Sequence, residues 1–181
     1  MRRRAGGGTV YAGPWLLGVS LVLPAGHPLS ALEPVHAYRW FGELWQSALA
    51  SLGCDSRLPD EGLIRMSRED AASLGVDWAC YGAMGHGELG SDETPMRKIL
   101  GIAQIRTRTA STLVAGLNLQ AVDWDQLCAL LGKPPEQARQ IARVNASLVD
   151  LVSAPIAASA DALARQADTR FRTALRAALD D

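Results

Sequence analysis

The sequence predicts an α+β domain in which an antiparallel or mixed β-sheet is covered by helices. Three observations carry that prediction. An early apolar run alternates with period two, two alternating segments in mid-chain read as a hairpin, and helix-like segments occupy almost everything after it. A chain of 181 residues, 48% hydrophobic and 20% charged, has enough apolar material for one core, which argues against extended disorder. A formal net charge of -1 supplies no global field to recruit nucleic acid, and the dense basic cluster is Arg2, Arg3 and Arg4. Three cysteines, Cys54, Cys80 and Cys128, form no CxxC pair. That usage is expected of reduced thiols in the cytoplasm, not of a disulfide frame or a zinc site.

The elements follow in order. Residues 1 to 24 admit two readings: three arginines before the apolar run WLLGVSLVL imitate a secretory signal, but Val19, Leu21 and Leu23 alternate as a strand does. Gly6, Gly7, Gly8, Gly13 and Pro14 break any apolar helix there, and the run falls far short of the ~20 residues of a membrane span, so the segment is read as part of the fold. Tyr38, Phe41, Leu44, Trp45, Ala48, Leu49 and Leu52 recur at helical spacing over 36–52, with Gly53 as a stop. SRLPDEGLIRMSRED reads as turn-rich, and DWACYGAMGHGELGSDETP as a glycine-rich loop holding Cys80. Ile99 to Thr107 and Ser111 to Leu119 form the predicted hairpin. Helices are predicted after Asp123 as N-cap, over Lys133 to Ala142 behind Pro134 and Pro135, and over Ser159 to Leu179. No repeat or low-complexity linker interrupts the chain, so 1–181 is read as one domain.

Two features invite a chemical reading. A glycine triplet lets backbone approach a ligand closely and offers several N–H donors to a phosphate or carboxylate, although such triplets are also flexible turns. No P-loop spacing is present, and no strand precedes the glycines as a dinucleotide fingerprint requires. Lys98 opens an apolar strand, where a lysine is commonly a solvated edge charge. Gly101 and Ala103 keep one face of that strand small, however, as a strand lining a ligand needs. An ammonium beside that face can hold a phosphate, or a carbonyl oxygen as negative charge develops on it.

These residues resemble a known family. RRRAGGGTVYAGPWLLGVSLVLP is similar to the R-R-x-S/T-G-G-G-x-V-x-H signature of lipoate-protein ligases, with arginines (Arg3, Arg4), then Gly6, Gly7 and Gly8, then Val10, in the same order. RKILGIAQIRTR is similar to that family's K-I/V/L-x-G-x-A-Q-x-R segment through Lys98, Gly101, Ala103, Gln104 and Arg106. DWACYGAMGHGEL resembles the acidic, cysteine-containing stretch leading into the lysine strand. The likeness runs from residue 3 to 118, and the helical part, 123–181, is compatible with it. It implies the class II biotin/lipoate ligase catalytic fold lacking its N-terminal strands, and hence an unpaired sheet edge and a pocket with an open wall.

The resemblance also implies roles. In the ligases, the glycine loop and the strand lysine enclose an acyl-adenylate made from ATP, with Mg²⁺, and lipoate or octanoate. The acyl group then passes to a lysine of a lipoyl carrier domain or glycine-cleavage H protein. Lys98 would contact the carbonyl and phosphate oxygens, Gly6, Gly7 and Gly8 would border the acyl chain with Arg3 or Arg4 nearby, and Gly101, Ala103 and Gln104 would line the pocket. Such catalysis is positioning plus stabilisation of an anionic transition state. A second branch of the family takes octanoyl from acyl carrier protein through a cysteine thioester without ATP. Cys80, with Lys98 lowering its pKa, is the candidate there, and a buried inert cysteine is the alternative. Cys54 and Cys128 read as structural. Two family histidines are replaced, by Ala12 and by Ala115 before Gly116. These changes and the shortened N-terminus leave a non-catalytic acyl-binding paralogue as the other reading. His27, His36 and His86 lack metal-ligand spacing, Asp123 and Asp125 are explained by capping, and the sequon at Asn145 has no meaning in the cytoplasm. No membrane partner is expected.

Overall fold

A computed structural model describes residues 7–152 and 159–180. The chain runs β1 (Leu16–Pro24), α1 (Pro34–Ala50), β2 (Ser56–Arg57), α2 (Glu61–Ser73), β3 (Leu89–Ser91), β4 (Lys98–Arg106) and β5 (Ala110–Asn118). It continues through α3 (Trp124–Leu130), α4 (Pro135–Arg143), α5 (Leu148–Leu151) and α6 (Ala160–Asp180). The strands form one five-stranded sheet in the order β1-β5-β4-β3-β2. Every ladder is antiparallel, which resolves the choice between an antiparallel and a mixed sheet.

The apolar run near the start is an edge strand, paired along its whole length with β5 from Leu16↔Asn118 to Pro24↔Ala110. Among the described residues its outer edge carries no strand. No helix among them is long and apolar enough to cross a membrane.

Period-two alternation gives each strand two faces. Leu113, Ala115 and Leu117 of β5, with Leu100 of β4, pack in one buried cluster with Phe41, Trp45 and Leu49 of α1 and Phe171 of α6. Helical spacing along α1 (Ala37, Phe41, Leu44, Trp45, Ala48, Leu49) places these residues on the side facing the sheet. Trp45 stacks on Phe171 at 4.4 Å between ring centroids, and Phe41 meets the same ring edge-on at 5.8 Å. Fully burying side chains of this size contributes about 1.5–3 kcal/mol each, so the α1–α6 contact is a principal source of stability.

The opposite face is bare backbone at its centre. Gly18, Gly116 and Gly101 are successive partners across β1, β5 and β4. Tyr81 covers two of the three: a Cβ on Gly116 would lie 3.1 Å from its hydroxyl and one on Gly101 3.6 Å from its ring. Around Tyr81 a second cluster gathers Ala71, Val76, Ala79, Trp124, Leu127, Cys128, Ala138 and Ile141, from α2, α3, α4 and the connecting loop.

The segment read as turn-rich contains a helix. α2 begins after Pro59, with the Asp60 carboxylate accepting from Leu63 N–H at 2.7 Å. Only Ile64 and Ala71 of α2 are buried, so its apolar stripe is too thin to stand out in the sequence. β2 and β3 are too short to show alternation. α5 is a single turn that the sequence reading did not predict, the other elements lie within a few residues of their predicted positions, and Asp123 caps α3 through Gln126 N–H.

Candidate functional site

The site is built on a loop pressed between α1 and the sheet. Gly42 on α1 and Gly87 in the loop touch backbone to backbone: a Cβ on Gly42 would collide with Gly87 O, and one on Gly87 with Tyr38 O. Gly87 also has φ +71, a conformation that glycine adopts without steric cost. Segment 80–88 is thereby held against the start of β4. Lys98 N–H donates to Val144 O, Lys98 O accepts from Ala146 N–H, and Asn145 Nδ2 donates to Tyr81 O at 2.9 Å. Asn145, the nominal glycosylation site, is a buried structural tie.

Lys98 is the centre of this arrangement, and it is not a solvated edge charge: it is 2% exposed. Its Nζ lies 2.6 Å from Glu88 Oε2 and donates to Cys80 O at 2.8 Å and Ala83 O at 3.0 Å. An ammonium has three hydrogens, and these three acceptors match them. Lys98 also sits over the Tyr81 ring, 5.1 Å from its centroid. Tyr81 donates its hydroxyl to Gly116 O at 2.6 Å. Burial, with the charges of Cys80 and Glu88 adding, raises its pKa above the usual phenol range, so it stays a neutral donor. Glu88 is 6% exposed and accepts from Gly85 N–H at 2.5 Å and Ile102 N–H at 3.2 Å.

Lys98 and Glu88 stand at the wall of a cavity of about 470 Å³. Gly7, Gly8, Cys80, Lys98, Ala103 and Gln104 all line it, so these expected residues are brought together although they lie far apart in sequence. Asp77, His86 and Glu88 line it too. Gly101 lies behind them, its open side filled by Lys98, Tyr81 and Glu88. The expected Arg3, Arg4 and Gly6 lie outside the described residues. Gly8 is required by close approach: a Cβ there would sit 2.5 Å from Ala79 C, Cys80 N and Trp78 O. Two hydrogen bonds on its C-terminal side, Thr9 N–H to Trp78 O at 2.7 Å and Cys80 N–H to Thr9 O at 2.9 Å, fasten the glycine loop to the cysteine segment. Gly7 has φ +110 and open space around it.

Cys80 is half-buried, and its carbonyl oxygen accepts from Lys98 Nζ. Cys54 and Cys128 are buried. Burial, with Asp55 adding, pushes the Cys54 thiol up to about 11, and burial raises Cys128, with Asp125 adding and Lys133 opposing. His86 Nδ1 lies 3.2 Å from Glu61 Oε1 of α2, a pairing hidden by sequence distance. Among the described residues no group of three or more metal-ligating side chains converges. A second cavity of about 210 Å³ shares the wall formed by Ala71, Ala83, Met84 and Lys98, and it is lined by Met66, Met84 and Met96.

Sequence reasoning missed Glu88, Tyr81 and Asn145. A buried lysine needs a buried counter-charge, but the glycine-rich segment before the lysine strand offers Asp77, Glu88, Asp92 and Glu93, and their spacing does not single out Glu88.

The family model for the lipoyl protein ligase A/B catalytic domain matches residues 1–166. The chain belongs to that family. Its fold is also that of solved lipoate ligases. A protein described as a lipoate protein ligase from T. acidophilum, solved with bound lipoic acid, matches at 21% identity and a TM-score of 0.62, over 97% of this chain and 58% of that one. A bipartite lipoate protein ligase from Thermoplasma acidophilum, studied with its E2 lipoyl domain, matches at 20% identity and a TM-score of 0.64, over 97% and 57%. A lipoate-protein ligase A bound with ATP matches at 21% identity and a TM-score of 0.62, over 97% and 58%. The chain thus spans less than three fifths of these proteins' length. Among curated protein sequences none matches the chain significantly.

Proposed function

We propose that this chain is a single catalytic domain, acting in the cytoplasm, that attaches lipoate or octanoate to a lysine of a lipoyl carrier domain or glycine-cleavage H protein. The observation that carries the reading is the buried Lys98 ammonium at the wall of a 470 Å³ cavity bordered by Gly7 and Gly8. Activation joins the acid's carboxylate oxygen to the α-phosphorus of ATP and releases pyrophosphate. The carrier lysine's amine then attacks the acyl carbon, AMP leaves, and the amine proton passes to solvent. Lys98 stabilises the negative charge that grows on the carbonyl and phosphoryl oxygens in both steps. Mg²⁺ would arrive with the nucleotide, held chiefly by its phosphates, and Asp77, a carboxylate lining the cavity, would be placed to add an oxygen ligand. The carrier domain reading is supported by the relative studied with its E2 lipoyl domain.

Cys80 favours a second reading, because it lines the same cavity between the glycine loop and Lys98. As a transferase the protein would take octanoyl from acyl carrier protein onto the Cys80 sulfur, releasing the carrier thiol, and pass it to the lysine amine without ATP. Intact-mass spectrometry of a lipoyl carrier domain separates the two. Acylation that requires ATP, Mg²⁺ and free acid, survives Cys80→Ser and is lost in Lys98→Ala establishes the ligase. Acylation from octanoyl-loaded carrier alone, lost in Cys80→Ser, establishes the transferase. Silence under both conditions leaves a non-catalytic acyl-binding protein.

A further inference from the structure

The Glu88 carboxylate is held by three donors whose positions are fixed by other partners. Lys98 Nζ is anchored by Cys80 O and Ala83 O, independently of Glu88. Ile102 belongs to β4, whose backbone is fixed there by pairing with Ala115 of β5. Gly85 lies in the loop wedged against α1 through Gly87 and Gly42. The β3–β4 ladder shifts register between Leu89 and Gly90 and ends at Leu89↔Leu100, so Ile102 N–H turns to a side-chain acceptor. Two backbone N–H groups and one ammonium therefore converge on one carboxylate at the cavity wall. A bound carboxylate or phosphoryl group seeks the same arrangement.

We propose that this cradle is the substrate's anion site, filled in the free protein by Glu88 as an internal occupant that an entering carboxylate or phosphoryl oxygen displaces. The inference rests on the acyl-activating reading for the identity of the anion, while the cradle itself does not. All three Lys98 hydrogens are engaged, and a second anion beside Glu88 would meet like-charge repulsion at close range. Entry and displacement are therefore one event, and Glu88 lowers the affinity for every anion by competing for the place. It selects for ligands that bring further contacts of their own, such as an acyl chain or a nucleotide, over small anions in solution.

The test is Glu88→Ala, which empties the cradle and leaves its donors. Melting temperature is followed against added sodium acetate and against inorganic phosphate, each with sodium chloride at equal ionic strength as control, and octanoate binding is measured by calorimetry. The expected result is that acetate, phosphate or both raise the melting temperature of the variant by several degrees and leave the wild type within about one degree of its chloride control. Octanoate should bind the variant at least ~10-fold more tightly than the wild type. Acetate acting alone assigns the cradle to the carboxylate, and phosphate acting alone to the phosphoryl group. Adding Lys98→Met should abolish the anion effect. If Glu88→Ala does not fold, Glu88→Gln is titrated with octanoate instead. Anions no better than chloride, or octanoate affinity unchanged or weaker in the folded variant, overturn the proposal. Failed rescue beside intact acyl transfer defeats the cradle alone, whereas rescue without any acyl transfer defeats the enzymatic reading alone.

Discussion

Lys98 Nζ and Glu88 Oε2 are 2.6 Å apart with both side chains buried, and the pair joins the first residue of β4 to the loop at the cavity wall. Removing one member leaves the other as a buried charge without its partner, which costs about 3–5 kcal/mol, whereas removing both leaves no such charge. Lys98→Met is therefore expected to lower urea-unfolding stability more than the double variant Lys98→Met with Glu88→Leu. Single effects that simply add in the double variant would show that the two groups are energetically independent.

The Gly42–Gly87 contact is the structural reason the site loop sits where it does. Gly42→Ala forces a methyl group into the Gly87 backbone, so the helix or the loop must move, at about 1–3 kcal/mol, with acyl transfer falling at least ~10-fold from the displacement. Gly18→Ala is the control. Gly18 has no atom within 4 Å of a built Cβ and does not have positive φ, so alanine should be neutral or stabilise by about 0.4–1 kcal/mol. Chemical denaturation of both variants beside the carrier acylation rate checks the pair. Equal behaviour would mean that the Gly42 contact does not position the site.

How much of this was legible in the sequence depends on length and periodicity. β1, β4, β5 and α1 carry a full run of alternating or helically spaced apolar residues, and each lies close to its predicted position. α2 buries too little to leave a stripe, and β2 and β3 comprise two and three residues, below any detectable period. Gly8 and Lys98 were visible as motif residues, but the physical cause of Gly8 was not: it is the backbone of Trp78–Cys80 pressing on it. Glu88 was hidden because its partners, Gly85 N–H, Ile102 N–H and Lys98 Nζ, are assembled by a register shift in a short ladder. A loop carboxylate with no periodicity around it gives no such sign.

The three cysteines should separate in reactivity. Cys80 is half-buried at the cavity wall, while Cys54 and Cys128 are buried. Because burial pushes the Cys54 thiol up to about 11, its thiolate is scarce at pH 8 and grows only as the pH approaches that value. Iodoacetamide on the folded protein at pH 8, followed by peptide mass spectrometry, is expected to label Cys80 first, with Cys54 and Cys128 labelled only after unfolding. Raising the pH to 10 should leave Cys54 far slower than Cys80. Early labelling of Cys54 would contradict its burial.

The last element tests where the domain ends. The family match stops at residue 166, yet Phe171 beyond it is 3% exposed, stacked on Trp45 at 4.4 Å and edge-on to Phe41 at 5.8 Å. Trp45 is the largest of the fully buried side chains, and in the described structure Phe171 covers one side of its ring. Phe171→Ala removes that cover and leaves a cavity, at an expected cost of about 3–5 kcal/mol. Phe171 is not among the residues lining the Lys98 cavity, so acyl transfer well below the melting temperature should stay within about twofold of wild type. Tryptophan fluorescence during urea unfolding reads the first quantity and carrier acylation the second. A loss of stability below 1 kcal/mol would mean that α6 is an appendage to the core. A large loss with catalysis retained would make the segment past residue 166 part of the fold's foundation and not of its chemistry.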